Sequence, residues 1–342
     1  MEAAVFDSPG KVRRILDDDL FRARPGIYWL DFSISIGLAW TAFVTAVGSG
    51  AAWAWAWLAL SVVAFYRCLF FIHEITHLRQ GKLRMFRWAW NALCGAAFFL
   101  PDFTYLVHSA HHLTATFSTE EDPEYVPMAW QKPMELVAPF VIFPFVPLVL
   151  MARFLVAAPV SWVVGGDFRN WLLRCASSLK MNPRFEWKNI TPDDRRVALS
   201  QELGCILWWV VFGAIAWVGP GFRLLLFWYV VAYCILTLNH IRSIVAHRYT
   251  NRTGKRVTYE EQLLDSISIT GFSPLASLLA PVGMRYHALH HMFPTLPYHS
   301  MQAAHERLVA TLPPEHSYFQ TFAPGLWPAF RHFFATVRAN RT

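Results

Sequence analysis

The chain has 342 residues and a formal net charge of +7; 55% of it is apolar, 16% aromatic and only 15% charged. That balance falls outside the range of ordinary soluble domains and makes a lipid bilayer the expected solvent. No basic motif is interleaved with aromatics, so the positive charge is assigned to cytoplasmic loops and anionic headgroups, which excludes nucleic acid as a partner.

In chain order, the N-terminal stretch carries Asp7, Lys11, Arg13, Arg14 and the run Asp17-Asp18-Asp19. It lacks the apolar run of a signal peptide and is expected to stay in the cytoplasm. A spanning helix takes about 20 mostly apolar residues. Segments 27–47 and 51–72 qualify, and the uncharged turn Gly48-Ser49-Gly50 makes them a helical hairpin. Arg79, Lys82, Arg84 and Arg87 follow it. Segment 134–157 is also apolar, but Pro139, Pro144 and Pro147 would break a straight helix, so a re-entrant or interfacial segment is expected there. Residues 166–200 are polar and interrupted, as are 303–342, and both read as cytoplasmic helices and loops. Between them, 202–219 and 222–241 form a second hairpin around the breakers Gly219-Pro220-Gly221. Arg242, Arg248, Arg252, Lys255 and Arg256 follow that hairpin. The positive-inside rule then puts both basic flanks and both termini in the cytoplasm, whereas a single crossing at 134–157 would invert everything after it. The expectation is an all-α integral membrane protein: four transmembrane helices in two hairpins beneath a cytoplasmic helical cap. It is read as one domain over 1–342, with a core at 27–305, a tail at 306–342 and no internal repeat beyond the hairpins. The cysteines Cys68, Cys94, Cys175, Cys205 and Cys234 show no CxxC spacing and read as small buried apolar residues.

Most of the 14 histidines fall into four compact groups. His73 and His77 stand at i and i+4, neighbours on one helical face. His108, His111 and His112, and again His287, His290 and His291, stand at i, i+3 and i+4. His240 and His247 lie two turns apart at the end of the last span. Each group follows an expected membrane exit on the cytoplasmic side, and ionisable groups beside a bilayer are costly to keep without a use. Neutral imidazole suits iron, zinc, copper or nickel. So many imidazoles exceed what one tetrahedral ion can use, and a dinuclear site is the economical reading. Glu74, Asp102 and Asp265 are candidate acceptors for a ligand's other ring nitrogen. His299, His305, His316 and His332 stand alone in polar sequence and read as structural. His73-Glu74-Ile75-Thr76-His77 is also an HExxH zinc-protease motif, but that reading leaves both HxxHH groups unexplained. A membrane metal transporter or sensor would place its ligands at the bilayer midplane, whereas these lie at the exits.

These boxes, HxxxH, HxxHH and HxxHH in chain order, resemble those of the membrane fatty acid desaturase and hydroxylase superfamily. The resemblance covers about 60–305, including Ala246-His247-Arg248-Tyr249 and the run from Tyr286 to Pro297, and is nearest to bacterial desaturase-like members. It implies two non-haem iron ions held by His73, His77, His108, His111, His112, His247, His287, His290 and His291. Some members carry an asparagine four residues before the equivalent of His247, as a water-mediated ligand; here Ser243 stands there, and His240, one turn further back, is the candidate that helps to complete the ligands of the second iron. The resemblance also implies dioxygen as co-substrate, because unactivated C–H bonds offer no acidic proton for side-chain catalysis. On family resemblance, desaturation of a fatty acyl or related lipid chain is preferred to hydroxylation or ketolation of a lipid, alkyl or carotenoid chain. The chain would enter among the spans, with Trp53, Trp55, Trp57, Trp88 and Trp90 lining walls or anchoring the interface. No haem, iron–sulfur or dinucleotide motif is present, so an external ferredoxin-like or cytochrome donor is implied, docking on the basic loops.

Overall fold

The computed structural model describes residues 7–78, 83–271 and 273–340. Arg79 and Lys82 of the first basic flank lie outside the described residues. The helices are α1 (Pro9–Arg13), α2 (Pro25–Gly48), α3 (Ala51–Leu69), α4 (Phe71–His77), α5 (Arg84–Trp90), α6 (Pro133–Ile142), α7 (Val146–Ala152) and α8 (Ala158–Val164). They continue as α9 (Gly166–Ala176), α10 (Pro192–Val218), α11 (Phe222–Ile244), α12 (Tyr259–Asp265), α13 (Pro274–Leu279), α14 (His287–Met292), α15 (Met301–Thr311) and α16 (Leu326–Ala339). Two short strands, β1 (Ser268–Ile269) and β2 (Phe322–Ala323), pair in parallel. The fold is mostly helical, and the chain forms two compact units, each assembled from separated stretches of sequence.

One unit comprises Gly26–His108 and Val137–Leu238. Its α2 and α3 form the first hairpin and α10 and α11 the second. The Arg223 guanidinium, at the start of α11, donates to the carbonyls of Ala46 and Ser49, and Trp55 meets Phe227. Both hairpin turns therefore sit at the same end of the unit. Thr191 and Asp194 form a capping box, with Pro192 in the first turn, so α10 starts ten residues before the expected apolar boundary at 202.

Among the described residues, five helical stretches are long and apolar enough to cross a membrane, one more than the four spans expected: 25–48, 51–77, 146–164, 192–218 and 222–244. The additional one arises where a broken segment was expected. The break falls at Phe143–Phe145, between α6 and α7, and the Tyr229 hydroxyl caps the freed Pro144 carbonyl at 2.7 Å. Pro147 sits in the first turn of α7, where its missing N–H costs nothing, so it starts a helix instead of breaking one. A π-helical turn at Arg153–Ala157 then joins α7 to α8. Arg153 lies in this stretch, buried and bound to Glu202 at 2.7 Å, which in turn holds Arg169 at 2.8 Å. Intramembrane charge survives when paired in this way.

The other unit comprises the chain up to Pro25, Ser109–Leu136 and everything from Asn239. Its core gathers Val12 and Leu16 near α1, Leu289 and Met292 of α14, Met301 and Leu308 of α15, and Tyr318. This packing, at about 1.5–3 kcal/mol per fully buried side chain, holds the floor on which α14 rests. Gly283, with φ +74°, makes the turn before α14; a Cβ there would meet Met301 Sδ at 2.6 Å.

Candidate metal centre

Three short segments bring histidines together within the second of these units. The chain leaves α11 and passes through His247, whose backbone bridges to Ser266. Tyr249 adopts a left-handed φ of 56°, and its hydroxyl donates to the Ser243 carbonyl, which closes the end of α11. Ser268 bridges in turn to Tyr286, at the start of α14, and its hydroxyl accepts the Ala288 N–H at 3.2 Å. The extended residues 266–268 thus join the His247 segment to the third box, while β2 covers their other side.

On this scaffold His111, His247, His287 and His291 are all buried and offer ring nitrogens within 4.8 Å of one another. His247 Nε2 lies 3.2 Å from His111 Nε2 and 2.9 Å from His287 Nε2. In α14, His287 and His291 are one turn apart and share this group, whereas the His290 Nε2 lies 3.1 Å from His112 Nε2. The Gln262 amide, buried in α12, reaches both the His112 carbonyl and His291 Nδ1.

Carboxylates stand behind two of these rings. Asp122 is fully buried and accepts from His111 Nδ1 at 2.9 Å and from the N–H groups of Ser118, Glu124 and Tyr125. Burial pulls His111 toward neutrality, but the Asp122 charge outweighs it and raises its pKa. Burial alone would raise Asp122; the imidazolium and the backbone donors more than offset it, and its pKa is lowered. His247 Nδ1 lies 3.2 Å from Asp265, yet burial dominates there and lowers the imidazole pKa. Asp265 is held in turn by the Thr250 N–H and hydroxyl, each at 2.7 Å, and by the Tyr125 hydroxyl.

With Nδ1 directed at a carboxylate, each ring turns its Nε2 lone pair inward. Two such nitrogens about 3 Å apart can share either a proton or a metal ion. Nitrogens bound to one ion at about 2.0–2.1 Å are separated by roughly that distance. The donor set therefore fits a metal ion, and its uptake would displace the proton that Asp122 favours on His111.

In the unit of spanning helices, His73, His77 and His108 cluster with ring centroids 4.7–5.0 Å apart. Tyr105 stacks on His108 at 4.6 Å. His108 shares the 3-10 helix Asp102–His112 with His111 and His112. Glu74 accepts the Tyr28 hydroxyl at 2.6 Å. Asp102 does not face an imidazole in this arrangement: Asn91, Gln201 and Arg87 engage it, which ties the residues after α5 to α10.

His240 falls outside both groups of metal-capable residues, with its ring bonded to the Leu136 carbonyl. The Ser243 hydroxyl donates back to the Asn239 carbonyl. His299 accepts the Arg24 N–H, His305 meets the Tyr318 hydroxyl, and His316 accepts the Tyr318 N–H. His332 is exposed. Trp90 is buried and donates to the Cys68 carbonyl, whereas Trp53, Trp55, Trp57 and Trp88 are exposed.

A family model described as fatty acid desaturase matches residues 51–323. The chain belongs to the fatty acid desaturase family. It is also similar to a ceramide hydroxylase of Caulobacter vibrioides (strain NA1000 / CB15N), with 36% identity over 326 residues, covering 94% of this chain and 92% of the relative. The family explains the spacing of the boxes and makes the protein a membrane oxidoreductase acting on lipids. Asp122 and Gln262 were not singled out from the sequence. Asp122 sits among Glu120 and Glu121 with nothing to mark which acid turns inward; Gln262 follows a Thr258-x-x-Glu261 capping signature that predicts its helix but not its contact.

Proposed function

We propose that this desaturase-family member is an iron- and dioxygen-dependent hydroxylase of a ceramide-like membrane lipid. The observation that carries the chemistry is the convergence of His111, His247, His287 and His291, two of them backed by buried carboxylates. This group would hold one iron. His73, His77 and His108, which cluster within the unit of spanning helices, would serve the second, and the family resemblance adds His112 and His290 to the ligand set. His240 is left to a structural role. The iron pair, with dioxygen and two electrons, supplies the oxidant that an unactivated C–H bond requires. In the net reaction one oxygen atom enters the C–H bond and the other leaves as water, with two electrons and two protons from an external carrier. The protein's part is to orient the imidazoles: Asp122 accepts from His111 Nδ1 and Asp265 lies beside His247 Nδ1, while α14 and the bridge at 266–268 fix ring positions.

Hydroxylation is preferred to desaturation because the similar protein is a ceramide hydroxylase. Desaturation remains the second reading, since the matched family is named for it. The histidine boxes are assigned to the cytoplasmic side with the basic flank Arg242, Arg248, Arg252, Lys255 and Arg256, where an acidic ferredoxin-like or cytochrome donor would dock.

The test is lipid mass spectrometry of a ceramide-containing host expressing the chain, beside a His287→Ala control. A ceramide that gains one oxygen, absent in the control, is expected. Loss of two hydrogens instead would establish the desaturase reading, and unchanged ceramides and acyl lipids would overturn both.

A further inference from the structure

A cavity of about 1210 Å³ opens along α10 within the unit of spanning helices, and no histidine lines it. It exceeds the roughly 300–1,000 Å³ of ordinary small-molecule pockets. Asp193, Val197, Ser200, Gly204, Leu207 and Val211 line it from α10, three or four residues apart, so they form a single stripe. From Asp193 to Ile215 that stripe rises about 33 Å. One end is polar. The other is walled by Trp40 and Phe43 of α2 and by Trp208, Phe212 and Ile215. An occupant must therefore be long, and amphipathic along its length.

We propose that this groove binds one bilayer phospholipid, its acyl chain along α10 and its phosphate at Arg84. The charge balance at the polar end selects the headgroup. Asp102 is engaged by Arg87, Asn91 and Gln201. Asp193 pairs with Arg196 at 3.0 Å, and Asp194 is spent in the capping box with Thr191. Arg84 lines the same end and is exposed, and among the described residues no carboxylate pairs with it. The sequence has no acidic residue between Glu74 and Asp102 that could do so. The uncommitted charge at the mouth is thus a guanidinium, whose fork matches a phosphate. Midway along the groove Gly204 leaves space: a Cβ there meets nothing within 4 Å.

That open position supplies the test. Gly204→Leu fills the groove at its middle with a better helix former, whereas Gly213→Leu on the same helix also enters open space but lies outside the lining. Full-length protein in mild detergent is titrated with palmitoyl-oleoyl phosphatidylglycerol, diacylglycerol or ceramide, and bound lipid is counted by native mass spectrometry. Wild type and Gly213→Leu are expected to retain one phosphatidylglycerol. Gly204→Leu should weaken that binding at least tenfold, and Arg84→Gln about tenfold while leaving diacylglycerol unaffected. Equal phosphatidylglycerol affinity in wild type and Gly204→Leu, or in wild type and Arg84→Gln, would overturn the proposal. So would ceramide displacing phosphatidylglycerol one for one irrespective of Arg84, which would make the groove a substrate path. A dimer that Gly204→Leu splits would make it a contact between copies. Iron content, measured on the same samples, reports separately on the metal centre.

Discussion

Asp122 fixes the orientation of the buried His111 ring, and removing its charge while keeping its shape tests whether that ring serves the proposed iron site. Asp122→Asn still accepts backbone N–H groups but no longer holds the His111 Nδ1 proton by charge. Iron affinity is expected to fall roughly 10–100-fold, the usual cost of losing an acceptor behind a metal-bound imidazole. Titration of the purified protein with ferrous iron checks this, and an unchanged isotherm would show that Asp122 only braces the loop. The pH dependence has a defined sign in chelator-treated protein. The lowered Asp122 pKa contributes stability that is present above the usual carboxylate value, about 3.9, and is lost as pH falls through the lower folded value. The raised His111 pKa contributes below its usual value, about 6.5, and is lost as pH rises through the folded one. Asp122→Asn should flatten both limbs of the melting profile. At this scale the sequence reveals what is local. The i, i+3, i+4 spacing marks His287, His290 and His291, but not that the pair one turn apart parts company with the third. Nor does it mark Asp122, ten residues from the second box, because its inward turn is set by the Ser118 and Glu124 backbone.

The elements were legible wherever apolar length alone decides. The apolar helices at 25–48, 51–77 and 222–244 appear close to their expected limits, since a bilayer demands that length. The start of α10 and the course of 146–164 were not, because both depend on polar chemistry that hydropathy ignores: the capping box at Thr191, and the Arg153–Glu202–Arg169 cluster. That cluster joins α7–α8 and α9 to α10 within one unit. Removing its only carboxylate leaves two guanidinium groups facing each other. Glu202→Gln is therefore expected to destabilise the protein by about 3–5 kcal/mol, as breaking a buried ion pair does. The double variant Glu202→Gln/Arg153→Met should recover part of the loss, because the deeper stranded charge is then gone. Thermal unfolding in detergent, read by tryptophan fluorescence, makes the comparison. A Glu202→Gln variant as stable as wild type would mean that the cluster is solvated and of little energetic weight.

For the whole molecule, the histidines constrain the path of the chain through the membrane more tightly than the hydropathy does. His111 and His247 lie 3.2 Å apart within one unit, so residues 111 to 247 must begin and end on the same side of the bilayer. The number of crossings between them is therefore even. The α10–α11 hairpin supplies two, and its turn sits beside the α2–α3 turn through Arg223. The stretch 146–164 is about 28 Å long by helical rise, close to the 30 Å hydrocarbon core, and by length alone it reads as a fifth span. Parity favours the broken segment expected from the prolines, in which α6 would enter, the Phe143–Phe145 break would turn the chain, and α7–α8 would return it. Labelling with a membrane-impermeant maleimide decides, in a chain whose Cys175 and Cys234 are replaced by serine. Glu121→Cys, Lys188→Cys and Thr253→Cys are expected to react from one face of sealed vesicles, and Gly50→Cys and Pro220→Cys only from the other. If 146–164 crosses alone, Lys188→Cys reacts from the face opposite Glu121→Cys. The four imidazoles of the metal centre could not then be gathered on one surface, and the reading of that site would fall with the topology.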